Sequence, residues 1–230
     1  VIELNPTLKG VCEQMRGLGL GALAHANQHA TFAPIPNEQW PQLSVLQAAH
    51  AAELLIKARI AEEHPLLVFE QLSSLKKTPG EDLDFQDLFE HGGAVQWADL
   101  PGRLWAATGI SLPNRSAFDQ FGRLRNGIQH FAPVSGRDLN EETLRFIYSV
   151  IDPFIHECWG LFAIDFYEDP EIQHTIDSLV NHEILFLVFP EAAEVSEDWP
   201  VDWSKASEKY RNEMRERIQK ALSIAKKQTS

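Results

Sequence analysis

Two hundred and thirty residues, 44% hydrophobic and 23% charged, are enough to bury a substantial core and describe a globular chain. A net charge of −13 argues against a general nucleic-acid coat, whose binding is driven by cations that release counterions from phosphates. Cys12 and Cys158 form no C-x-x-C or zinc pattern and no apolar run approaches a membrane span, so a soluble protein in a reducing, cytoplasmic setting, with no membrane partner, is expected.

Helical patterns dominate the chain in order. Thr7 to about His29 reads as a helix weakened by Gly17, Gly19 and Gly21, and this glycine run matches no dinucleotide fingerprint. A connector with Pro34, Pro36 and Pro41 leads to the strongest helix, Leu43 to Glu63, closed by Pro65. That helix is apolar around most of its circumference, with Val45, Leu46, Ala48, Ala49, Ala52, Leu55, Ile56 and Ile60, which predicts a central element. One polar stripe, Gln47, His50, Glu53 and Lys57, crosses it and faces either water, with a Glu53–Lys57 ion pair, or a polar pocket or dimer seam.

A looser region, Lys76 to Gly102, carries turn signals at Thr78-Pro79-Gly80 and His91-Gly92-Gly93. A short helix is expected at Leu104 to Thr108. The next, Ser116 to Phe131, shows Ala117, Phe118, Phe121, Leu124, Ile128 and Phe131 at three- and four-residue steps and is stopped by Pro133. A long helix is then expected from Glu141 to Phe166, capped by Asn140, with the stripe Leu144, Ile147, Ile151, Ile155, Cys158 and Phe162 and a kink at Pro153. Beyond Asp169-Pro170 come a short helical piece, an apolar run Ile184 to Phe189 that suits a short strand or helical turn, and an acidic linker, Glu191 to Asp202. The chain closes on a basic amphipathic helix. From Lys205 to Lys227 the net charge is +5 while the remainder carries −18, and Tyr210, Met214, Ile218, Ala221 and Leu222 form a stripe that can pack on the body or on a partner. The fold class is therefore all-α: a helical bundle with an N-terminal helical extension over 1–40, a core over 41–190, and an acidic linker with a basic helix over 191–230.

The most chemical stretch is Arg125-Asn126-Gly127-Ile128-Gln129-His130. It places a phosphate-binding cation, a hydrogen-bonding amide and an imidazole within two turns of one helix end, a combination that suits phosphoryl chemistry. The plainer alternative is a helix-end His that caps a carbonyl and an Arg paired to an acidic neighbour.

A helical protein with Arg125-Asn126-x-x-x-His130 near the end of a later helix resembles the HEPN family (higher eukaryotes and prokaryotes nucleotide-binding domain). The likeness extends to His50-Ala-Ala-Glu53-Leu-Leu-Ile-Lys57, similar to that family's first core helix, and covers about residues 40 to 168. The resemblance implies a metal-independent ribonuclease acting on RNA in a toxin, abortive-infection or antiviral role, usually as a homodimer that brings two motifs together. The acidic net charge departs mildly from that pattern, and the flanking segments lie outside it. In such an enzyme His130 transfers protons, Arg125 holds phosphate oxygens, Asn126 orients the phosphate or the Arg, and Glu53 orients Arg125 or His130. Arg123 and Lys57 are the expected substrate-binding cations. No cofactor or metal is called for, and a regulatory protein partner is compatible with the docking-like C-terminal helix. The competing expectation is a catalytically silent module of the same fold that binds a nucleotide, RNA or a partner protein.

Other signatures are thin. His25-x-x-x-His29 has metal-pair spacing but lacks a third ligand in sequence, His64, His91, His156, His174 and His182 are scattered, and the six Trp follow no pattern beyond packing.

Overall fold

The computed structural model describes residues 4–32, 37–71, 85–130, 136–167, 172–194, 196–199 and 201–228. These are all-α: no strand forms among them, and the single ladder-like pairing is an isolated bridge between Phe69 and Ala94. The helices are α1 (Val11–Thr31), α2 (Trp40–Glu63), α3 (Phe85–Gly92), α4 (Leu100–Thr108), α5 (Arg115–His130), α6 (Leu139–Phe146), α7 (Asp152–Trp159), α8 (Ile172–Asn181), α9 (Pro190–Glu194) and α10 (Glu208–Gln228). No helix among the described residues is long and apolar enough to cross a membrane.

The chain forms two compact units that are not contiguous in sequence. The first takes Val1–Leu20 and His50–Leu112, the second Gly21–Ala49 and Pro113–Ser230.

In the first unit, α1 and α2 approach closely because Gly19 has no side chain: a Cβ there would stand 2.8 Å from Leu55 Cγ. A glycine that weakens α1 as a helix thus serves its packing. Ala51, Ala52, Leu55, Ile56, Ala58 and Ile60 of α2 are all buried, so the helix is apolar on nearly every side as its sequence predicts. The polar stripe resolves unevenly. His50 is exposed and Glu53 half-buried, while Lys57 is only 7% exposed, its Nζ 2.6 Å from Glu53 Oε1. After α2 the His64 ring accepts the Leu66 N–H and Pro65 opens a 3₁₀ turn, which ends the helix where the proline predicts. The Thr78-Pro79-Gly80 turn signal lies outside the described residues, whereas Gly92 and Gly93 do end α3, Gly93 with φ 58°.

In the second unit, Leu23, Val45, Phe118, Leu144, Phe154, Phe186 and Met214 form a common core. The long helix expected from Glu141 to Phe166 is shorter, running without a gap from Leu139 to Trp159 as α6, a π-turn and α7. Asp138, not Asn140, caps it, with Oδ1 accepting the Glu141 N–H at 3.0 Å. A π-turn occupies Ile147–Ile151, and α7 stops at Gly160, whose φ of 68° is the left-handed cap that a residue with a side chain resists. Pro153 accounts for the π-turn: it has no N–H for the carbonyl of Ser149, and the Asp152 N–H reaches back to Ile147 O instead. Leu144, Ile147, Ile151 and Ile155 are buried as the stripe predicts.

The run Ile184 to Phe189 forms neither strand nor helix. It is held by side chains: Leu187 N–H donates to Asp152 Oδ2 at 3.0 Å, and Ile184 O accepts from Tyr210 Oη at 2.8 Å. The acidic linker contains α9 and a 3₁₀ turn at Ser196–Asp198. In α10, Tyr210, Met214, Ala221 and Ala225 are buried, so the basic helix packs its apolar stripe on its own unit.

Candidate functional site

Helix α5 begins beside Asn114, whose Oδ1 accepts the Ala117 N–H at 3.4 Å, and buries Phe118, Phe121, Gly122 and Leu124 along one face. Phe121 stacks on Phe146 of α6 with ring centroids 3.8 Å apart and planes within 1°. That anchoring orients the rest of the helix. Asn126 and His130, four residues apart, are both exposed and share a face, and His130 is the last residue of α5. Arg123 is exposed as well. Arg125 is half-buried and is rotated about 140° from His130 around the helix axis. Its side chain runs toward the helix end, where Nη1 donates to Gln129 Oε1 at 3.2 Å. Gln129, adjacent to His130, is thus a positioning residue that spacing alone did not single out, though its place four residues after Arg125 was the available signal.

Arg125, Asn126 and His130 therefore lie within six residues at one helix end of the second unit, Asn126 and His130 on one face and Arg125 turned well away from it. Glu53 and Lys57 belong to the first unit, where they form their own ion pair. Phe131 and Pro133 lie outside the described residues.

His25 and His29 pack edge to face at 6.0 Å, and the His29 ring lies 4.6 Å from that of Trp40. Neither belongs to a metal-capable cluster among the described residues. The one such group there is Asp138, Glu141 and His182, whose ligand atoms lie within 4.8 Å of one another. Its atoms already serve the fold: Asp138 caps α6, Glu141 Oε1 accepts from Arg145 Nε at 2.7 Å, and His182 Nδ1 lies 2.8 Å from Ser178 O. Neither Cys12 nor Cys158 forms a disulfide among the described residues.

Three cavities of about 750, 620 and 220 Å3 open in the second unit, and none is lined by Arg125, Asn126 or His130. Close to the largest is a buried polar set centred on Asp152. Its carboxylate, 1% exposed, accepts the N–H groups of Ala163 and Leu187, and burial pushes its pKa up to about 6 despite those bonds and the nearby Arg217. Burial likewise raises the Tyr148 hydroxyl well above its ordinary value, with the Asp152 charge acting in the same direction. Asn27 completes the set, donating to Ala163 O at 3.0 Å and Phe166 O at 2.8 Å.

Comparison of the chain with protein-family models, with characterised proteins and with solved structures finds no match.

Proposed function

We propose that this protein is a metal-independent endoribonuclease with a HEPN-type helical fold, cleaving RNA through the 2′-hydroxyl in a cytoplasmic toxin, abortive-infection or antiviral role. The observation that carries the reading is the end of α5, where Asn126 and His130 stand exposed on one face and the Arg125 guanidinium is held by Gln129.

Cleavage by this route needs two things: proton transfer at the attacking and leaving oxygens, and neutralisation of a phosphorane that carries added negative charge. His130 takes the proton from the 2′-hydroxyl, and the oxygen attacks the adjacent phosphorus. The bond to the 5′-oxygen breaks, and that oxygen receives a proton. Arg125 meets two phosphate oxygens through its forked N–H groups, and Asn126 fixes the phosphate by its amide. The products are a 2′,3′-cyclic phosphate and a 5′-hydroxyl. One imidazole per chain must act as both base and acid, whereas a homodimer supplies two. An exposed half-site at a helix end suits such an assembly.

A second reading is a silent module of the same fold that binds a nucleotide, RNA or a partner protein. It is favoured by one observation: the three cavities described above lie away from the motif.

The test incubates the purified protein and its His130→Ala variant with labelled total RNA and tRNA in EDTA and analyses fragment ends. Cleavage by the unaltered protein alone, with cyclic-phosphate ends, supports the ribonuclease reading. Identical behaviour of the two proteins sinks it.

A further inference from the structure

The largest of the three cavities, about 750 Å3, lies wholly within the second unit and meets α5 at the end opposite His130, against Gln120 and Phe121. Gln120 and His130 are separated by about 15 Å of helix rise. Its volume falls in the range that holds small organic molecules.

Three features of the fold come together in its lining. Its walls carry three guanidinium groups from separate stretches of chain, Arg137, Arg145 and Arg217. Among the described residues, the non-glycine positions with positive φ are Asn114 at 44° and Glu183 at 51°, and both line this cavity. Such backbone costs of order 1 kcal/mol or more for a side chain like Glu and persists where surroundings enforce it, often at binding sites. At Glu183 the end of α8 enforces it, with the Glu183 N–H on Val180 O at 3.1 Å and the Ile184 N–H on Leu179 O at 2.8 Å, while the Ser207 N–H and Oγ donate to its carboxylate at 2.7 and 2.9 Å. The third feature is the π-turn, a distortion recurrent at functional sites, which contributes Tyr148 and Ser149 to the wall.

The chemistry of the lining selects a ligand. Arg217 donates Nη1 to Phe186 O at 3.0 Å and Nε to Glu213 at 3.3 Å, which leaves Nη2 without a partner among the described residues. Arg145 is held by Glu141 and by His182 O, and Arg137 by Glu142. The guanidinium groups are thus fixed in place, as preorganised recognition requires. Against the three arginines stand Glu142 and Glu183, so the lining carries a net charge of +1. With Glu141 and Glu213 also paired to Arg145 and Arg217, the cluster has no excess positive charge for a polyanion, and the spare Nη2 of Arg217 suits a single carboxylate. The floor is apolar, with the stacked Phe121 and Phe146 rings, 4% and 2% exposed, beside Ile184 and Leu187.

We propose that this cavity binds a small monocarboxylic acid with an aromatic or branched aliphatic body. Its carboxylate lies on Arg217, Arg137 and Arg145 supply the positive approach, and its body rests on the half-buried Leu185 and Leu187, backed by the Phe121 and Phe146 rings. This site is independent of the α5 motif and stands whether or not that motif cleaves RNA.

The test measures thermal stabilisation and titration calorimetry of the full chain with a panel of aromatic and branched aliphatic monocarboxylates, 3-phenylpropanoate first, at millimolar concentration. The controls are 3-phenylpropanamide, which keeps the body and loses the charge, and adenosine monophosphate, which carries a phosphate. The acid is expected to raise Tm while the amide does not, and affinity is expected to fall roughly tenfold or more in Arg217→Gln. Ser149→Phe, which fills the cavity and removes no charge, is expected to do the same and serves if Arg217→Gln fails to fold. Equal binding of acid and amide, preference for the nucleotide, unchanged affinity in Ser149→Phe, or no response to any acid of the panel each overturns the assignment.

Discussion

Asp152 Oδ2 accepts the backbone N–H of Leu187 at 3.0 Å while its Oδ1 accepts that of Ala163 at 2.8 Å, so one buried carboxylate ties an irregular run and the start of a 3₁₀ turn to the start of α7. Neither segment has a ladder or long helix of its own to satisfy these groups. Buried backbone donors require a partner, and the aspartate supplies it.

That arrangement makes stability depend on pH. Burial raises the Asp152 pKa from 3.8 in the unfolded chain to about 6, so the folded state binds the proton more tightly. The stabilisation is fully present below the lower value and is lost as pH rises through the upper one, about 3 kcal/mol across the window. Between pH 4.5 and 7, urea unfolding is expected to show the protein losing about 2 kcal/mol relative to Asp152→Asn, which cannot titrate. A difference between the two that does not change with pH, or one that grows in the opposite direction, contradicts this account.

Two glycines of α1 are expected to respond to alanine with opposite signs. At Gly17 nothing lies within 4 Å of the point a Cβ would occupy, so Gly17→Ala gains helix propensity, about 0.5–1 kcal/mol. At Gly19 the new methyl meets Leu55 Cγ at 2.8 Å, and Leu55 is fully buried and cannot swing away. Gly19→Ala is therefore expected to destabilise by about 1–3 kcal/mol despite the same propensity gain. Thermal melts of the two variants measured side by side decide the matter.

Asn27 bridges two carbonyls, Ala163 O and Phe166 O, from within the core. Asn27→Ala leaves both without that donor and is expected to cost roughly 2–4 kcal/mol. Hydrogen exchange should locate the loosening after Gly160, in residues 161–167, before the rest of the second unit responds. Uniform exchange across that unit speaks against a local tether.

At the end of α5, chemistry and stability should separate. His130 is exposed, so His130→Ala is expected to change unfolding free energy by less than about 0.5 kcal/mol while abolishing RNA cleavage. Arg125→Lys keeps the charge but loses the fork, and a fall in cleavage of about tenfold or more with little change in RNA affinity is expected. Filter binding and cleavage rates on one RNA separate the two effects.

Much of the helical framework was legible. α5 and α10 follow their apolar periodicities closely, α2 is buried on nearly every side as its all-round apolar sequence predicts, and the Pro65 stop and the Gly92-Gly93 turn stand where residue chemistry places them. The helix expected over Glu141 to Phe166 was legible in its existence, its burial pattern and its disturbance at Pro153, but not in its bounds. Its cap moved to Asp138 and its end to Gly160, because a side-chain acceptor and a left-handed glycine act over one or two residues and outweigh a stripe that continues past them.

The candidate site divides in the same manner. Arg125, Asn126 and His130 sit within six residues of one helix, so their proximity follows from helical geometry and sequence alone determined it. Sequence also determined the all-α class and the faces that α2, α5 and α10 bury, since periodic patterns record burial locally. The tertiary structure alone decided that Arg137, Arg145 and Arg217 share a cavity, that Asp152 is buried and holds Leu187, and that Gly19 is needed opposite Leu55. The physical reason is separation along the chain. Each of these relationships joins segments that meet through packing, and no local period or spacing encodes which distant side chains that packing will bring together.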